Sequence, residues 1–125
     1  QKVIKDVKHV YWMQGFRIDE KSKISRDEFA SAVSAEGVKA EGYAPIPVHL
    51  QEVFTKQVGY GRTHCPFDCP VYGKKVQYKA GDCPEAEKLC KQDLTIPCYH
   101  SLRGRDLSDV ASALTKVAKW FESKH

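Results

Sequence analysis

Two groups of residues in this sequence have types and spacings that could do chemistry. Tyr43 and His49 lie in Gly42–Gln51 (GYAPIPVHLQ), where Pro45 and Pro47 keep the backbone extended and non-helical. A phenol and an imidazole can hydrogen-bond hydroxyls or a carboxylate, and histidine exchanges protons near neutral pH. The plainer alternative is that both side chains anchor the Pro-rich segment to a sheet. The second group is His64-Cys65 with Cys69, followed downstream by Cys83 and Cys90. Thiolates and imidazole suit zinc, and Cys65, Cys69 and Cys83 are the metal candidates. Their Cys-x3-Cys spacing departs from the common two-residue knuckle, and no second close pair follows. A Cys65–Cys69 or Cys69–Cys83 disulfide is a further possibility; free thiols in a packed loop, with no metal site, is the reading adopted. The five cysteines cannot all pair within one chain.

Two smaller combinations carry less. Cys98 and His100 are two apart, on one face if the strand continues, but no third orienting residue or oxyanion site accompanies them, so Cys98 reads as a buried strand cysteine. Arg103-Gly104-Arg105 precedes the last helix and offers guanidinium groups to an anion, yet reads as a solvated turn.

Composition bounds the setting. A chain of 125 residues fits a single domain spanning 1–125, and 42% hydrophobic with 29% charged residues is ordinary for a globular protein. Twenty Lys/Arg scattered among 16 Asp/Glu give a net charge of +4, which argues against a nucleic-acid surface. No apolar run reaches the roughly 18 residues needed to span a bilayer, and the start lacks a signal peptide's apolar core. A reducing cytoplasm is therefore expected. The chain starts at Gln1 rather than Met, as an excised or processed piece would.

The elements that must position these residues follow from periodicity. His9–Ile18 (HVYWMQGFRI) predicts a strand buried on at least one face, with a bulge or close approach at Gly15. Asp19–Lys23 is a charged turn. Ser25–Glu36 predicts a helix capped by Ser25 with Glu28 closing the box, apolar at Phe29, Ala32 and Val33, and stopped by Gly37. Val38–Glu41 is expected as a strand, Glu52–Lys56 as one helical turn, and Gln57–Gly81 as a long irregular loop with a brief strand at Val76–Tyr78.

Asp82–Tyr99 (DCPEAEKLCKQDLTIPCY) predicts a helix begun by an Asp82–Glu85 capping box, with Ala86, Leu89 and Cys90 on its buried face. A strand through Leu94, Ile96 and Cys98 follows, at an edge or ending at Pro97. The last helix is capped by Asp106 and carries Leu107, Val110, Leu114, Val117 and Phe121 on one stripe. Trp12, Trp120 and Phe121 read as core or interface aromatics. The expected fold class is α+β, a small mixed or antiparallel sheet with helices on one face.

HVYWMQGFRI, SRDEFASAVSAEGV, GY…P-V-H-L-Q, GYG…CPFDCPVYG and DCPEAEKLC, followed by a capped terminal helix, occur in an order that resembles one family. They resemble the C-terminal small domain of DegT/DnrJ/StrS-type pyridoxal-phosphate-dependent sugar and cyclitol aminotransferases, over residues 8–122. The resemblance implies a cofactor domain with a Schiff-base lysine that this sequence does not contain, so the chain holds no cofactor and does not transaminate alone. It implies that Tyr43 and His49 approach the amino donor and sugar acceptor, catalysis itself residing elsewhere. The partners it implies are a pyridoxal-phosphate-binding large domain supplied in trans and a second copy of this chain. The other function weighed is a stand-alone homo-oligomeric binding or assembly module recognising a small polar ligand.

Overall fold

The computed structural model describes residues 3–68 and 70–124. They form a small α+β protein with a two-stranded antiparallel sheet and four α-helices, in the order β1 (Met13–Arg17), α1 (Arg26–Ala35), α2 (Glu52–Thr55), α3 (Pro84–Gln92), β2 (Asp93–Pro97) and α4 (Gly104–Glu122). The chain divides into two compact units, Gln1–Tyr43 with Gln92–His125, and Ala44–Lys91. Among the described residues no helix is long and apolar enough to cross a membrane.

The first unit holds the sheet and the core. β1 and β2 pair in unbroken register from Met13 opposite Pro97 to Arg17 opposite Asp93. Leu94, Thr95 and Ile96 are buried, whereas β1 is exposed along most of its length. The predicted strand thus shrinks to Met13–Arg17 and is not the buried one. Gly15 sits opposite Thr95 without a bulge, and a Cβ there would meet only Asp93 Oδ1 at 3.9 Å. The strand ends at Pro97, as a residue without an N–H requires.

Val38–Glu41 does not form the expected strand. The Ser34 hydroxyl takes up both backbone groups of Ala40, donating to its carbonyl at 3.3 Å and accepting its N–H at 3.4 Å, so a ladder cannot use them. Only Glu41 reaches the sheet, exchanging backbone hydrogen bonds with Thr95 at 3.1 and 2.8 Å. The Thr95 hydroxyl adds a third bond to the Glu41 carbonyl at 3.1 Å, which satisfies a buried polar group. Gln92 is buried for the same reason: its side-chain oxygen accepts from Arg17 Nε at 2.7 Å and its carbonyl from the Ile18 N–H at 3.0 Å.

α1 packs on α4 and on β2. Phe29, Ala30 and Val33 meet Leu94, Ile96, Val117 and Phe121, with the Phe29 and Phe121 rings 5.9 Å apart. Ser25 occupies the N-cap position of α1 but makes no side-chain cap bond, so the predicted box is absent. Gly37 follows the helix at φ +90°, the left-handed conformation that glycine adopts without a Cβ penalty. In α4 the stripe holds from Val110 to Phe121, while Leu107 is exposed. Asp106 is the third residue inside α4 rather than its cap; its carboxylate reaches back to accept the Arg103 N–H at 2.7 Å. Gly104 and Arg105 are therefore helical, not part of a turn.

The second unit is mostly irregular. Phe54 of α2 meets the rings of Phe67 and Tyr78 edge-on at 6.1 and 5.6 Å, and Phe67 is buried. Single bridges join Tyr60 to Cys65 and Asp68 to Lys75. Val76–Tyr78 is not a strand; Val76 merely donates to the Phe67 carbonyl at 3.1 Å. α3 begins at Pro84. Asp82 does not cap it, because its carboxylate accepts the Lys79 N–H at 2.9 Å in the turn before. Of the apolar face predicted for α3, Leu89 is 49% exposed and Ala86 is exposed too.

Candidate functional site

Tyr43 belongs to the first unit and His49 to the second. Tyr43 is 58% exposed, and its ring meets the exposed Trp12 edge-to-face with centroids 6.0 Å apart. Edge-to-face contact of this kind supports the ring while more than half of the residue stays open to solvent.

His49 is held quite differently. Pro47 precedes a single 3-10 turn, Val48–Leu50, whose middle residue is His49, only 8% exposed. Its Nε2 lies 3.0 Å from Glu87 Oε1 in α3. A carboxylate only accepts, so Nε2 carries the hydrogen and Nδ1 remains for other contacts. The same Glu87 oxygen accepts the Gly81 N–H at 2.8 Å. Glu87 thus ties the Pro-rich segment and the Gly81 turn to the start of α3. Its carboxyl is held below the ordinary glutamate value, first by the Gly81 N–H and then by the His49 imidazole, against partial desolvation acting the other way. The carboxylate that reaches back from α3 is therefore Glu87, where the sequence pattern points to Glu85. A capping-box rule cannot find this bond, because its partner His49 is 38 residues away.

Among the described residues the cysteines lie apart from Tyr43 and His49 in the sequence. Cys83 is an exposed free thiol and Cys98 a half-buried one just beyond β2, with His100 exposed. Cys69 lies outside the described residues, and with it both proposed disulfides and one of the three metal candidates. Among the described residues no group of three or more His, Cys, Asp or Glu side chains could hold a metal ion.

Sequence comparison agrees with the resemblance. The profile of the DegT/DnrJ/EryC1/StrS aminotransferase family matches residues 1–68 and 66–115. A spore coat polysaccharide biosynthesis protein of Bacillus subtilis is 27% identical over 115 residues, covering 91% of this chain and 25% of the relative. A pleiotropic regulatory protein of Geobacillus stearothermophilus is 27% identical over 96 residues, covering 77% and 21%. A UDP-N-acetyl-3-dehydro-alpha-D-glucosamine 3-aminotransferase of Acidithiobacillus ferrooxidans is 28% identical over 93 residues, covering 74% and 20%. The chain spans about a quarter or less of the length of these relatives. With the family profile matched along nearly all of its length, this chain belongs to the DegT/DnrJ/EryC1/StrS aminotransferase family.

Proposed function

We propose that this chain is the C-terminal small domain of a pyridoxal-phosphate-dependent sugar aminotransferase, shaping the substrate side of a cleft whose cofactor side lies outside these residues. The observation that carries this reading is the family match over residues 1–68 and 66–115 in a chain that covers only 20–25% of its relatives. A Schiff-base lysine must be desolvated or crowded by charge to react as the free amine. Among the described residues every lysine except the half-buried Lys88 is exposed. The residues present therefore do not fit as the holder of pyridoxal phosphate, which supports a chain inactive in transamination by itself.

Tyr43 is the group offered to substrate: the residue is more than half exposed, and a phenol can bond a sugar hydroxyl or an amino-donor carboxylate. His49 contributes through Nδ1, with Glu87 fixing the ring. Val10 and Trp12 lie exposed beside β1, and Trp120 is half-exposed on α4. Apolar residues left in the open support association with the cofactor-bearing domain or with a second copy of this chain, in the cytoplasm. The test is amino transfer to a keto sugar, assayed with the chain alone and with a family cofactor domain supplied separately. Activity only in the mixture, reduced by Tyr43→Phe, is the expected result; turnover by the chain alone contradicts it.

A further inference from the structure

Gly42 stands immediately before Tyr43, and its backbone is not in the left-handed region that would call for a glycine. Space is the physical reason for it instead. A Cβ added at Gly42 would fall on Nη1 and Cζ of Arg26, so the guanidinium occupies the place where that side chain would be. Arg26 is the first residue of α1, and its side chain is only 11% exposed. A charge withdrawn that far from water needs partners. Its Nε lies 2.6 Å from Asp27 Oδ1, and its Nη1 donates to the Asp93 carbonyl at 3.3 Å.

The groups around this contact are anchored along one stretch of chain, from Asp93 to Cys98. Glu41 exchanges backbone bonds with Thr95, whose hydroxyl also donates to the Glu41 carbonyl. Cys98, just past β2, donates its N–H to the Trp12 carbonyl at 3.0 Å. Arg26 bonds to Asp93 at the start of the same strand. Tyr43 comes next after Glu41 and Gly42, and its ring meets that of Trp12 at 6.0 Å with the planes 89° apart. All of these residues belong to the first unit.

We propose that Arg26 is a positioning residue for Tyr43: its guanidinium fills the space left at Gly42 and so sets where the Tyr43 ring stands against Trp12. The inference rests on the reading that Tyr43 meets the substrate, and adds to it the residue that aims Tyr43. Glu41 is tied to β2, so the next freedom along the chain is rotation at Gly42, the most permissive residue type. A guanidinium wedged against Gly42 and bonded to Asp93 limits that rotation. Lysine is not equivalent, because its point charge lacks the planar fork that spans Gly42 and the Asp93 carbonyl together. Misplacing a substrate-positioning group by about 1 Å is costly.

The experiment uses the full chain carrying Trp120→Phe, which leaves Trp12 as its one tryptophan. Near-ultraviolet circular dichroism then reads the Trp12–Tyr43 contact, and Tyr43→Ala gives the size of that contribution. Arg26→Ala should remove most of it, and Arg26→Lys should not restore it. Gly42→Ala should lose the same signal, but should cost less when Arg26→Ala has already emptied the space. Val33→Ala, a truncation in the buried core, should keep the signal below its melting temperature, which separates aim from stability. This arm needs no cofactor domain, so it decides the positioning by itself. In the mixture with a family cofactor domain, Arg26→Ala should raise KM for the keto sugar about two- to tenfold, the size of one hydrogen bond, with kcat little changed. It should add nothing to Tyr43→Ala. An unchanged tryptophan signal in Arg26→Ala, or losses in KM that add to those of Tyr43→Ala, would overturn the proposal. A lost signal with KM unchanged in both variants supports the positioning and removes Tyr43 from the substrate site, a failure of the proposed function alone.

Discussion

One oxygen of Glu87 serves both His49 and the Gly81 N–H. Its carboxyl is held low in the folded chain, so the unfolded chain binds the proton more readily. Stability from this group is therefore complete above the ordinary glutamate value of about 4.3 and is lost as pH falls through the lower folded value. Urea melts from neutral to acid pH should show Glu87→Gln with a shallower acid decline than the parent, at lower stability near neutrality. Identical acid limbs in the two proteins would remove Glu87 from this role. At the same scale, residue type and the Pro-rich segment single out Tyr43 and His49 in the sequence. The bond that orients His49 is not legible there, because local pattern rules do not reach a partner brought in by folding.

Elements differ sharply in how much of their stability they draw from burial. Leu94 in β2 is fully buried, so Leu94→Ala should cost about 2–5 kcal/mol. Leu89 in α3 is half exposed, and Leu89→Ala should stay within about 0.5 kcal/mol. Equal losses on denaturant unfolding would mean that α3 buries the face its spacing suggests. In the irregular loop of the second unit, Gly59→Ala places a Cβ against the backbone of His64 and Cys65 and should destabilise by about 1–3 kcal/mol; a neutral outcome would show the loop to be looser than its bonds imply.

The helices α1 and α4 could be read from sequence because a 3.6-residue stripe and a glycine stop are local signals. β1 was overextended because aromatic and branched residues favour strands only where a neighbour supplies the ladder, and β2 supplies it for five residues. Val38–Glu41 failed for a related reason: Ser34 claimed the backbone of Ala40 first. The Asp82 box failed because Asp82 had a closer donor in Lys79.

For the whole molecule, membership of the aminotransferase family joins a chain whose described lysines lie mostly in solvent and whose apolar Val10 and Trp12 are uncovered. Association should cover that surface. Sedimentation is expected to find a self-associating chain, and Trp12→Ser should shift it toward monomer; a strictly monomeric parent would remove the second copy from the proposal. On the proposed function, these residues shape a substrate site and the cofactor lysine lies outside them. The most direct test is amino transfer from glutamate to pyridoxal phosphate added in excess to the purified chain, followed by absorbance. The expected rate is no greater than that of free pyridoxal phosphate with glutamate; saturable acceleration in proportion to the chain, abolished by replacing one lysine, would contradict the proposed function.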